Sequence, residues 1–250
     1  MEHKVYGLIG YPLGHSFSKQ FFNDKFASEG IDAEYINFEL PDIGDLMEVF
    51  AENPGLSGLN VTIPYKQQVI PYLDDLDPEA EEIGAVNVIK ITRTKRQGDF
   101  RLTGYNTDVE GFRLSVKPLL TPERDKALIL GTGGASKAVA QAFKTLGVEY
   151  TFVSRTKRPG CLTYGELTPE IMASHKVIVN TTPLGMYPHV DECADIPYSC
   201  LTPAHLCYDL LYNPDVTEFM RRAQAHGAEV KNGLEMLLLQ AFASWNVWNK

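Results

Sequence analysis

Residues 127–136 have the sequence ALILGTGGAS, in which a short apolar run ends in a glycine-rich turn. Such a run is typical of a strand buried on both faces of a parallel sheet. Gly131 permits a tight turn, Gly133 lets a pyrophosphate approach the backbone, and the next helix offers its N-terminal N–H groups to an anion. A plain tight loop can have the same composition, but the strand–turn–helix context favours a Rossmann-type dinucleotide-binding domain.

The sequence around this turn predicts a series of strands and helices. We expect a helix over residues 135–146 and strands near residues 150–153, 177–180 and 207–211, within a domain of residues 120–232. The segment 157–176 is too short for a long crossover helix and contains Pro159, Gly160 and Gly165, which leaves residues 169–174 for a brief helix. The domain is therefore predicted to be shortened after its second strand.

The loop after the second of these strands indicates the choice of cofactor. NAD-binding domains usually place an acidic residue there, against the ribose 2′-hydroxyl. This chain has Ser154-Arg155-Thr156-Lys157-Arg158 instead. A guanidinium pairs well with a 2′-phosphate, and the two hydroxyls can donate to it. The loop favours NADP(H), the alternative being an ordinary solvated basic loop.

The first hundred residues predict a second α/β domain with a mostly parallel sheet. Residues 5–9, 35–38 and 59–63 have the composition of strands, and residues 86–92 and 100–104 flank a polar hairpin loop. We expect this hairpin to end the sheet. The predicted domain covers residues 1–108 and is completed by the C-terminal helix, residues 233–250.

Three helices have clear patterns in or beside this domain. Phe22 and Phe26 share one face of a helix that Gly30 can end, and a second helix surrounds Leu46, Val49 and Phe50. The last helix is predicted to run from about Leu234 to Trp248, with an apolar stripe that covers the core. The predicted stripe consists of Leu234, Leu237, Leu238, Ala241, Phe242, Trp245 and Trp248.

Composition excludes several classes of protein. The 250 residues have a formal net charge of −9, which argues against a surface for nucleic acid or anionic membrane. The four cysteines and six histidines show no metal-ligand spacing, so we expect no metal and reduced thiols. No export signal or membrane-spanning stretch is evident, so we expect a cytoplasmic protein.

Four segments of the first domain are unusually rich in small polar side chains. They are residues 10–18, 60–66, 84–87 and 104–108. In order and spacing they resemble the signature segments of the shikimate dehydrogenase family. The resemblance continues through the glycine turn and through residues 180–186, 209–214 and 233–240, and so spans nearly the whole chain.

The resemblance implies an NADPH-dependent reduction of 3-dehydroshikimate to shikimate, in a cleft between the two domains. The implied substrate contacts are Ser16 and Ser18 to the carboxylate, Tyr212 near it, and Asn60, Thr62, Asn87, Asp108 and Gln240 to the ring hydroxyls. The implied cofactor contacts are Gly131, Thr132, Gly133, Gly134, Ala135, Ser136, Ser154, Arg155, Thr156, Thr181 and Gly233. Taken singly, some of these residues could serve the fold alone: Ser18 can cap a helix, Asn87 can occupy a turn, and Gln240 can face solvent.

The resemblance also implies that Lys66 and Asp108 are the catalytic pair. Reduction of a ketone needs a hydride on carbon and a proton on oxygen, where negative charge develops. A lysine ammonium can polarise the carbonyl and supply the proton, and Asp108 can stabilise its charged form. Two rival hypotheses remain open: an NAD-using quinate/shikimate dehydrogenase, and a non-catalytic regulatory protein of the same fold. The expected partners are the small-molecule substrate alone, in a monomer or homodimer.

Overall fold

The computed structural model describes residues 3–14, 17–93 and 100–250 and divides the chain into two compact units. The N-terminal unit contains Met1–Thr107 and Ala241–Lys250, and the central unit contains Asp108–Gln240. Each unit has a six-stranded sheet with helices. The prediction of two α/β domains is confirmed.

The sheet of the N-terminal unit combines parallel and antiparallel strands. Its strands are β1 (Lys4–Gly10), β2 (Ala33–Glu39), β3 (Leu56–Val61), β4 (Asp75–Leu76), β5 (Val88–Arg93) and β6 (Phe100–Tyr105). Their order is β2-β1-β3-β5-β6-β4. β1 is parallel to β2 and β3, whereas β5 is antiparallel to β3 and β6.

The prediction that the β5–β6 hairpin ends this sheet is wrong. β4 pairs in parallel with the outer side of β6, at Thr103 and Gly104. A strand of two residues has no periodicity that a sequence pattern can reveal. The hairpin itself is present, and residues 94–99 of its connection lie outside the described part of the chain.

The helices of the N-terminal unit begin with α1 (Phe17–Glu29), α2 (Leu46–Glu52) and α3 (Pro78–Ile83). Phe22 and Phe26 are buried as predicted, and Gly30 ends α1 in the left-handed conformation, with φ at +65°. The short helix α3 is not among the predicted elements. Its start has a recognisable signal, because the Asp77 side chain accepts from the Glu79 amide and proline occupies the first turn.

The sheet of the central unit is entirely parallel. Its strands are β7 (Lys126–Leu130), β8 (Glu149–Ser154), β9 (Cys161–Thr163), β10 (Val177–Asn180), β11 (Leu206–Asp209) and β12 (Glu229–Lys231). Their order is β12-β11-β10-β7-β8-β9, and the helices are α4 (Asp108–Val116), α5 (Gly134–Leu146), α6 (Pro169–Ser174) and α7 (Glu218–Ala225). Residues 127–130 are fully buried, as expected of the central strand.

The shortened crossover of the central unit has a short strand in addition to its helix. The brief helix predicted at residues 169–174 is α6, capped by the Thr168 hydroxyl. Before it, β9 adds to the edge of β8, where Cys161 pairs with Phe152 and Thr163 with Ser154. Neither β9 nor β12 is among the predicted strands, and each is only three residues long.

The last helix, α8 (Leu234–Trp248), has the predicted bounds but a different buried face. Leu234 and Phe242 belong to the predicted stripe, yet they are 39% and 48% exposed. The buried residues are Met236, Gln240, Ala241, Ser244, Val247 and Trp248. α8 is apolar around most of its circumference, so hydrophobicity alone could not identify the packed side.

The C-terminal end of α8 packs closely on the N-terminal sheet. A Cβ on Gly58 would lie 2.4 Å from the Trp248 ring, and the indole N–H donates to the Ile89 carbonyl at 3.1 Å. Gly58 therefore provides the space for Trp248. Among the described residues, no helix has the length and apolarity needed to cross a membrane. The four cysteines are free thiols.

Candidate functional site

The glycine turn after β7 has a backbone that only glycine adopts easily. Gly131 has a φ of +109°, and a Cβ there would lie 2.8 Å from the Thr181 hydroxyl. Thr181, directly after β10, donates to the Leu130 carbonyl from its amide at 3.0 Å and from its hydroxyl at 2.6 Å. These bonds hold the loop after β10 against the turn after β7. The predicted cofactor residue Thr181 thus shapes the turn.

The N-terminus of α5 is suited to bind a diphosphate. Gly133 is the N-cap, no described side chain caps the helix, and a Cβ on Gly133 would meet no described atom within 4 Å. The first-turn amides of Gly134, Ala135 and Ser136 can therefore donate to an anion. The Ser136 side chain is fully buried and donates to the Gly133 carbonyl at 2.7 Å, so it supports the turn from inside.

The cations of the loop after β8 differ in their contacts. Arg155 is exposed, and Lys157 forms an ion pair with Glu166 at 2.5 Å. Arg158 donates to the hydroxyl of Thr132, within the glycine turn, at 3.2 Å. The sequence pattern groups the three cations together, whereas in the structure Arg158 is bonded to the turn.

Ser154 and Glu166 stabilise the conformation of this loop. Ser154 is buried, and its hydroxyl accepts from the Thr156 amide at 3.4 Å. Hydrogen bonds from Lys157 and from the amide and hydroxyl of Thr163 lower the pKa of Glu166 to about 2. An open groove of about 580 Å³ lies beside the loop, lined by Thr151 and residues 157–162.

A buried carboxylate lies at the end of β11. Asp209 accepts from the Asn180 amide at 3.0 Å, the Thr217 hydroxyl at 2.6 Å and the Leu211 amide at 3.0 Å. Burial raises its pKa to about 6, against the lowering effect of these donors. Asn180 in turn accepts from the amide and hydroxyl of Thr182. The cluster couples the loops that follow β10 and β11.

Three further predicted residues belong to the central unit: Tyr212 follows β11, Gly233 directly precedes α8, and Gln240 lies in α8. Tyr212 is half-buried, which raises the pKa of its phenol. Gly233 has its Cα so close to the Leu210 backbone that a Cβ would lie 2.0 Å from that carbonyl oxygen. Gln240 is buried rather than solvent-facing, and its amide donates to the Leu237 carbonyl at 2.9 Å.

The N-terminal unit contains a buried cluster of amides and hydroxyls. Asn87 is 3% exposed, accepts from the Thr107 amide at 2.7 Å and donates to the Thr107 hydroxyl at 3.0 Å. Asn60 is 6% exposed and accepts from the Tyr35 phenol at 2.8 Å. Its amide nitrogen donates to Ser244 at 3.0 Å and to the Asn87 carbonyl at 3.4 Å. The two predicted asparagines are therefore neighbours.

Ser18 joins the same cluster from α1. α1 begins at Phe17, so Ser18 lies within the helix, and its side chain hydrogen-bonds the Tyr35 phenol. Ser16 lies outside the described residues. Thr62 is half-buried just after β3, with its amide donating to the Ile9 carbonyl at 2.9 Å.

The two predicted catalytic residues have well-fixed backbones. The carbonyl of Lys66 accepts from the Val86 amide at 2.7 Å, directly before Asn87. Asp108 is 6% exposed and starts α4 immediately after Thr107. Asp108 thus follows Thr107 of the buried amide and hydroxyl cluster directly in the chain. Lys66 is bonded to Val86, the residue before Asn87 of the same cluster. Within the described residues, no group of three or more His, Cys, Asp or Glu side chains is arranged to hold a metal.

Several residues of these clusters are absent from the sequence-based assignment of the site. They are Tyr35, Thr107, Asp209 and Ser244, together with Arg158 as a specific contact of the turn. Tyr35 and Ser244 lie on a strand and a helix, where tyrosine and serine are ordinary residues. Thr107 and Asp209 lie within residues 104–108 and 209–214, two of the segments that carry the family resemblance. Their place in these segments could have indicated that they belong to the site.

Known proteins resemble this chain over nearly its full length. Residues 8–89 match the model of the shikimate dehydrogenase substrate binding domain. The shikimate dehydrogenase (NADP(+)) of Carboxydothermus hydrogenoformans is 36% identical over 269 residues, which cover 99% of this chain and 92% of the relative.

Solved structures agree with the sequence relatives. The Aquifex aeolicus shikimate dehydrogenase has a TM-score of 0.84 at 33% identity, covering 98% of this chain and 92% of its own. The Thermus thermophilus shikimate 5-dehydrogenase, solved with NADP(H) and shikimate, has a TM-score of 0.83 at 30% identity, covering 98% and 93%. With these identities over almost the whole chain, the protein belongs to the shikimate dehydrogenase family.

Proposed function

We propose that the protein catalyses the reversible, NADPH-dependent reduction of 3-dehydroshikimate to shikimate, a step toward chorismate and the aromatic amino acids. The observation that carries the proposal is the pair of buried amides Asn60 and Asn87, with the half-buried Ser18 joined to them through Tyr35, near the backbone of Lys66. Neutral amides and hydroxyls are suited to a small acid with several ring hydroxyls, because each hydroxyl can both donate and accept. The Thermus thermophilus relative was solved with shikimate.

We assign the cofactor to the central unit. The uncapped N-terminus of α5 and the open space at Gly133 fit a diphosphate, and Arg155 and Arg158 fit a 2′-phosphate. NADPH supplies the hydride when it is bound. The chain supplies the turn at Gly131, the anion-binding amides and the loops that Thr181 and Asp209 hold in place.

We assign the proton chemistry to Lys66 and Asp108. As the carbonyl carbon accepts a hydride, the Lys66 ammonium stabilises the charge on oxygen and transfers a proton from Nζ to it. In the oxidation of the alcohol, the neutral amine takes the proton back. The Asp108 carboxylate accepts a hydrogen bond from the ammonium and holds it in place. The fixed backbones of both residues support this assignment.

The first rival hypothesis, an NAD-using quinate/shikimate dehydrogenase, requires a carboxylate for the ribose. Ser154 stands at that position, and the first acidic residue after the loop, Glu166, is engaged by Lys157 and Thr163. The second rival, a non-catalytic protein of this fold, does not explain the presence of both Lys66 and Asp108. We therefore favour the NADP-dependent enzyme, acting in the cytoplasm as a monomer or homodimer.

A spectrophotometric assay tests the proposed function. Purified protein is mixed with shikimate and NADP⁺, and the absorbance of NADPH is followed, with parallel reactions on NAD⁺ and on quinate. We expect NADPH formation from shikimate, with kcat/KM higher for NADP⁺ than for NAD⁺. A preference for NAD⁺ would support the first rival, and absence of turnover with every pair would support the second. Sedimentation of the same sample gives the oligomeric state.

A further inference from the structure

The phenol of Tyr35 connects two of the residues assigned to the substrate. It lies on β2, is 1% exposed, and donates to Asn60 Oδ1 at 2.8 Å. The Ser18 side chain is hydrogen-bonded to the same phenol. One hydroxyl thus links a proposed carboxylate-binding serine on α1 to a proposed hydroxyl-binding amide on β3.

Backbone groups favour one orientation of each amide, and hydroxyls bonded to the same amide hold it there. The backbone carbonyl of Asn87 can only accept, so the side-chain nitrogen of Asn60 must face it. The side-chain oxygen of Asn60 must then face Tyr35. The backbone amide of Thr107 can only donate, so the side-chain oxygen of Asn87 must face it. The side-chain nitrogen of Asn87 then faces the Thr107 hydroxyl. The hydroxyls complete an arrangement that the backbone has oriented.

Ser244 connects the two amides through α8. Its side chain is fully buried, accepts from the Asn60 nitrogen at 3.0 Å and lies 3.1 Å from the Thr107 hydroxyl. The chain of contacts therefore runs from Ser18 through Tyr35, Asn60 and Ser244 to Thr107, and then to Asn87. All its members except Ser18 are buried polar groups.

We propose that Tyr35 and Ser244 are positioning residues of the substrate site, which hold the amides of Asn60 and Asn87 and the hydroxyl of Ser18 in the directions that the substrate requires. The inference rests on the proposed function. Tyr35 and Ser244 would contribute to the recognition of a ring acid with several hydroxyls without touching it. They would act through the residues that do contact it. An amide that is rotated offers a donor where the substrate needs an acceptor, which makes such orientation decisive for specificity.

The phenol of Tyr35 can be removed with little change in shape. In Tyr35→Phe we expect the KM for shikimate to rise about tenfold, because a hydrogen bond of ordinary strength then no longer holds Asn60. The value of kcat should fall much less, and the KM for NADP⁺ should stay within about twofold, because an interaction common to ground and transition states is lost. Tyr6→Phe is the matched control, since Tyr6 lies in the same aromatic cluster, with its ring 5.7 Å from that of Phe26.

A pair of variants of the same shape tests Ser244. Ser244→Thr keeps the hydroxyl and Ser244→Val lacks it, while both add the same bulk to the buried site. We expect the valine variant to have a KM for shikimate about tenfold above that of the threonine variant, at similar melting temperatures. This comparison remains informative if Tyr35→Phe does not fold.

The outcomes separate this inference from the proposed function. If the wild type lacks turnover of shikimate, the proposed function fails and the inference fails with it. If the wild type is active while Tyr35→Phe keeps the wild-type KM for shikimate, or the threonine and valine variants share one KM, only the inference is overturned. A lower melting temperature with an unchanged KM would indicate a purely structural role and would also overturn it.

Discussion

Lys66 follows a buried and well-anchored residue, which limits where its side chain can reach. Tyr65 is 3% exposed and its phenol donates to the Leu40 carbonyl, while the Lys66 carbonyl accepts from Val86. The side chain therefore extends from a fixed backbone position in the N-terminal unit. A proton donor that acts in a transition state depends on such fixed placement.

Replacing Lys66 should separate catalysis from binding. In Lys66→Ala we expect kcat to fall by about 10²–10⁴-fold with little change in the KM for shikimate, because the ammonium acts on charge that develops only in the transition state. Steady-state kinetics with NADP⁺ measure this. Lys90→Ala is the control, since it removes another half-buried lysine of the same unit. A large rise in KM at unchanged kcat would contradict the assignment.

Asp108 should matter by holding the Lys66 ammonium in place. In Asp108→Asn we expect a lower kcat, because the charge-assisted hydrogen bond from the ammonium is weakened while the shape is kept. Shikimate binding should also weaken if the carboxylate accepts from a ring hydroxyl. The measurement is kcat and KM for both substrates. Full activity in this variant would remove Asp108 from the proposed pair.

Two adjacent cations in the loop after β8 offer a matched comparison. Arg158 is held at the glycine turn by Thr132, whereas Lys157 is paired with Glu166. Charge-assisted hydrogen bonds contribute about 1.5–3 kcal/mol, so Arg158→Ala should raise the KM for NADP⁺ by one to two powers of ten. We expect a much smaller effect of Lys157→Ala. An equal rise in the KM for NADP⁺ in the two variants would mean that Arg158 has no specific role in binding the 2′-phosphate.

At the scale of elements, close backbone approach joins the start of α8 to the loop after β11. The Gly233 amide donates to the Leu211 carbonyl at 2.9 Å, and a Cβ on Gly233 would lie 2.0 Å from the Leu210 carbonyl oxygen. This contact involves backbone, which cannot rotate away as a side chain can. The glycine is therefore required by packing between the two elements as well as by any contact with the cofactor.

A substitution at Gly233 should lower stability. In Gly233→Ala we expect the free energy of unfolding to fall by about 2–4 kcal/mol, because the methyl group forces α8 or the loop to move. Urea unfolding followed by circular dichroism measures this. In Gly165→Ala the added methyl meets no described atom within 4 Å, so the change should stay within about 1 kcal/mol. Equal stability of the two variants would contradict the packing argument.

At the scale of the whole molecule, buried titratable groups make stability depend on pH. His205 is fully buried, accepts from the Thr202 amide at Nδ1 and bonds the Met172 carbonyl through Nε2. Burial lowers its pKa below 6.5. The unfolded chain then takes up a proton near pH 6.5 that the folded protein does not, so stability falls as the pH drops below 6.5. Asp209, whose pKa is raised, has the opposite effect: its contribution is lost as pH rises from about 4 to about 6.

Removal of the imidazole should flatten the acid side of the stability curve. We expect His205→Gln to lose less unfolding free energy than the wild type between about pH 7.5 and about pH 5, although it is less stable at neutral pH. Urea titrations at several pH values measure this slope. His226→Gln, at an exposed site, serves as the control. A wild-type slope in His205→Gln would show that other groups cause the acid sensitivity.

The sequence alone determined the features that depend on local chemistry. The buried strand and turn at residues 127–136, the helix bounds of α6 and α8, and the shortened crossover were all predictable. Apolar runs, glycines and helix caps are local signals, which the chain carries wherever it folds. The polar segments around Asn60 and Asn87 were also visible, and the resemblance they carry indicated the family.

Only the tertiary structure decided the features that depend on distant partners. The edge strands β4, β9 and β12 are too short for a periodic pattern and exist because a neighbouring strand offers backbone groups. The buried face of α8 depends on the sheet it covers. Tyr35 and Ser244 gained their roles by meeting Asn60 across 25 residues of chain in one case and 184 in the other. A side chain's hydrogen-bond partners at such separations follow from packing, which no local pattern encodes.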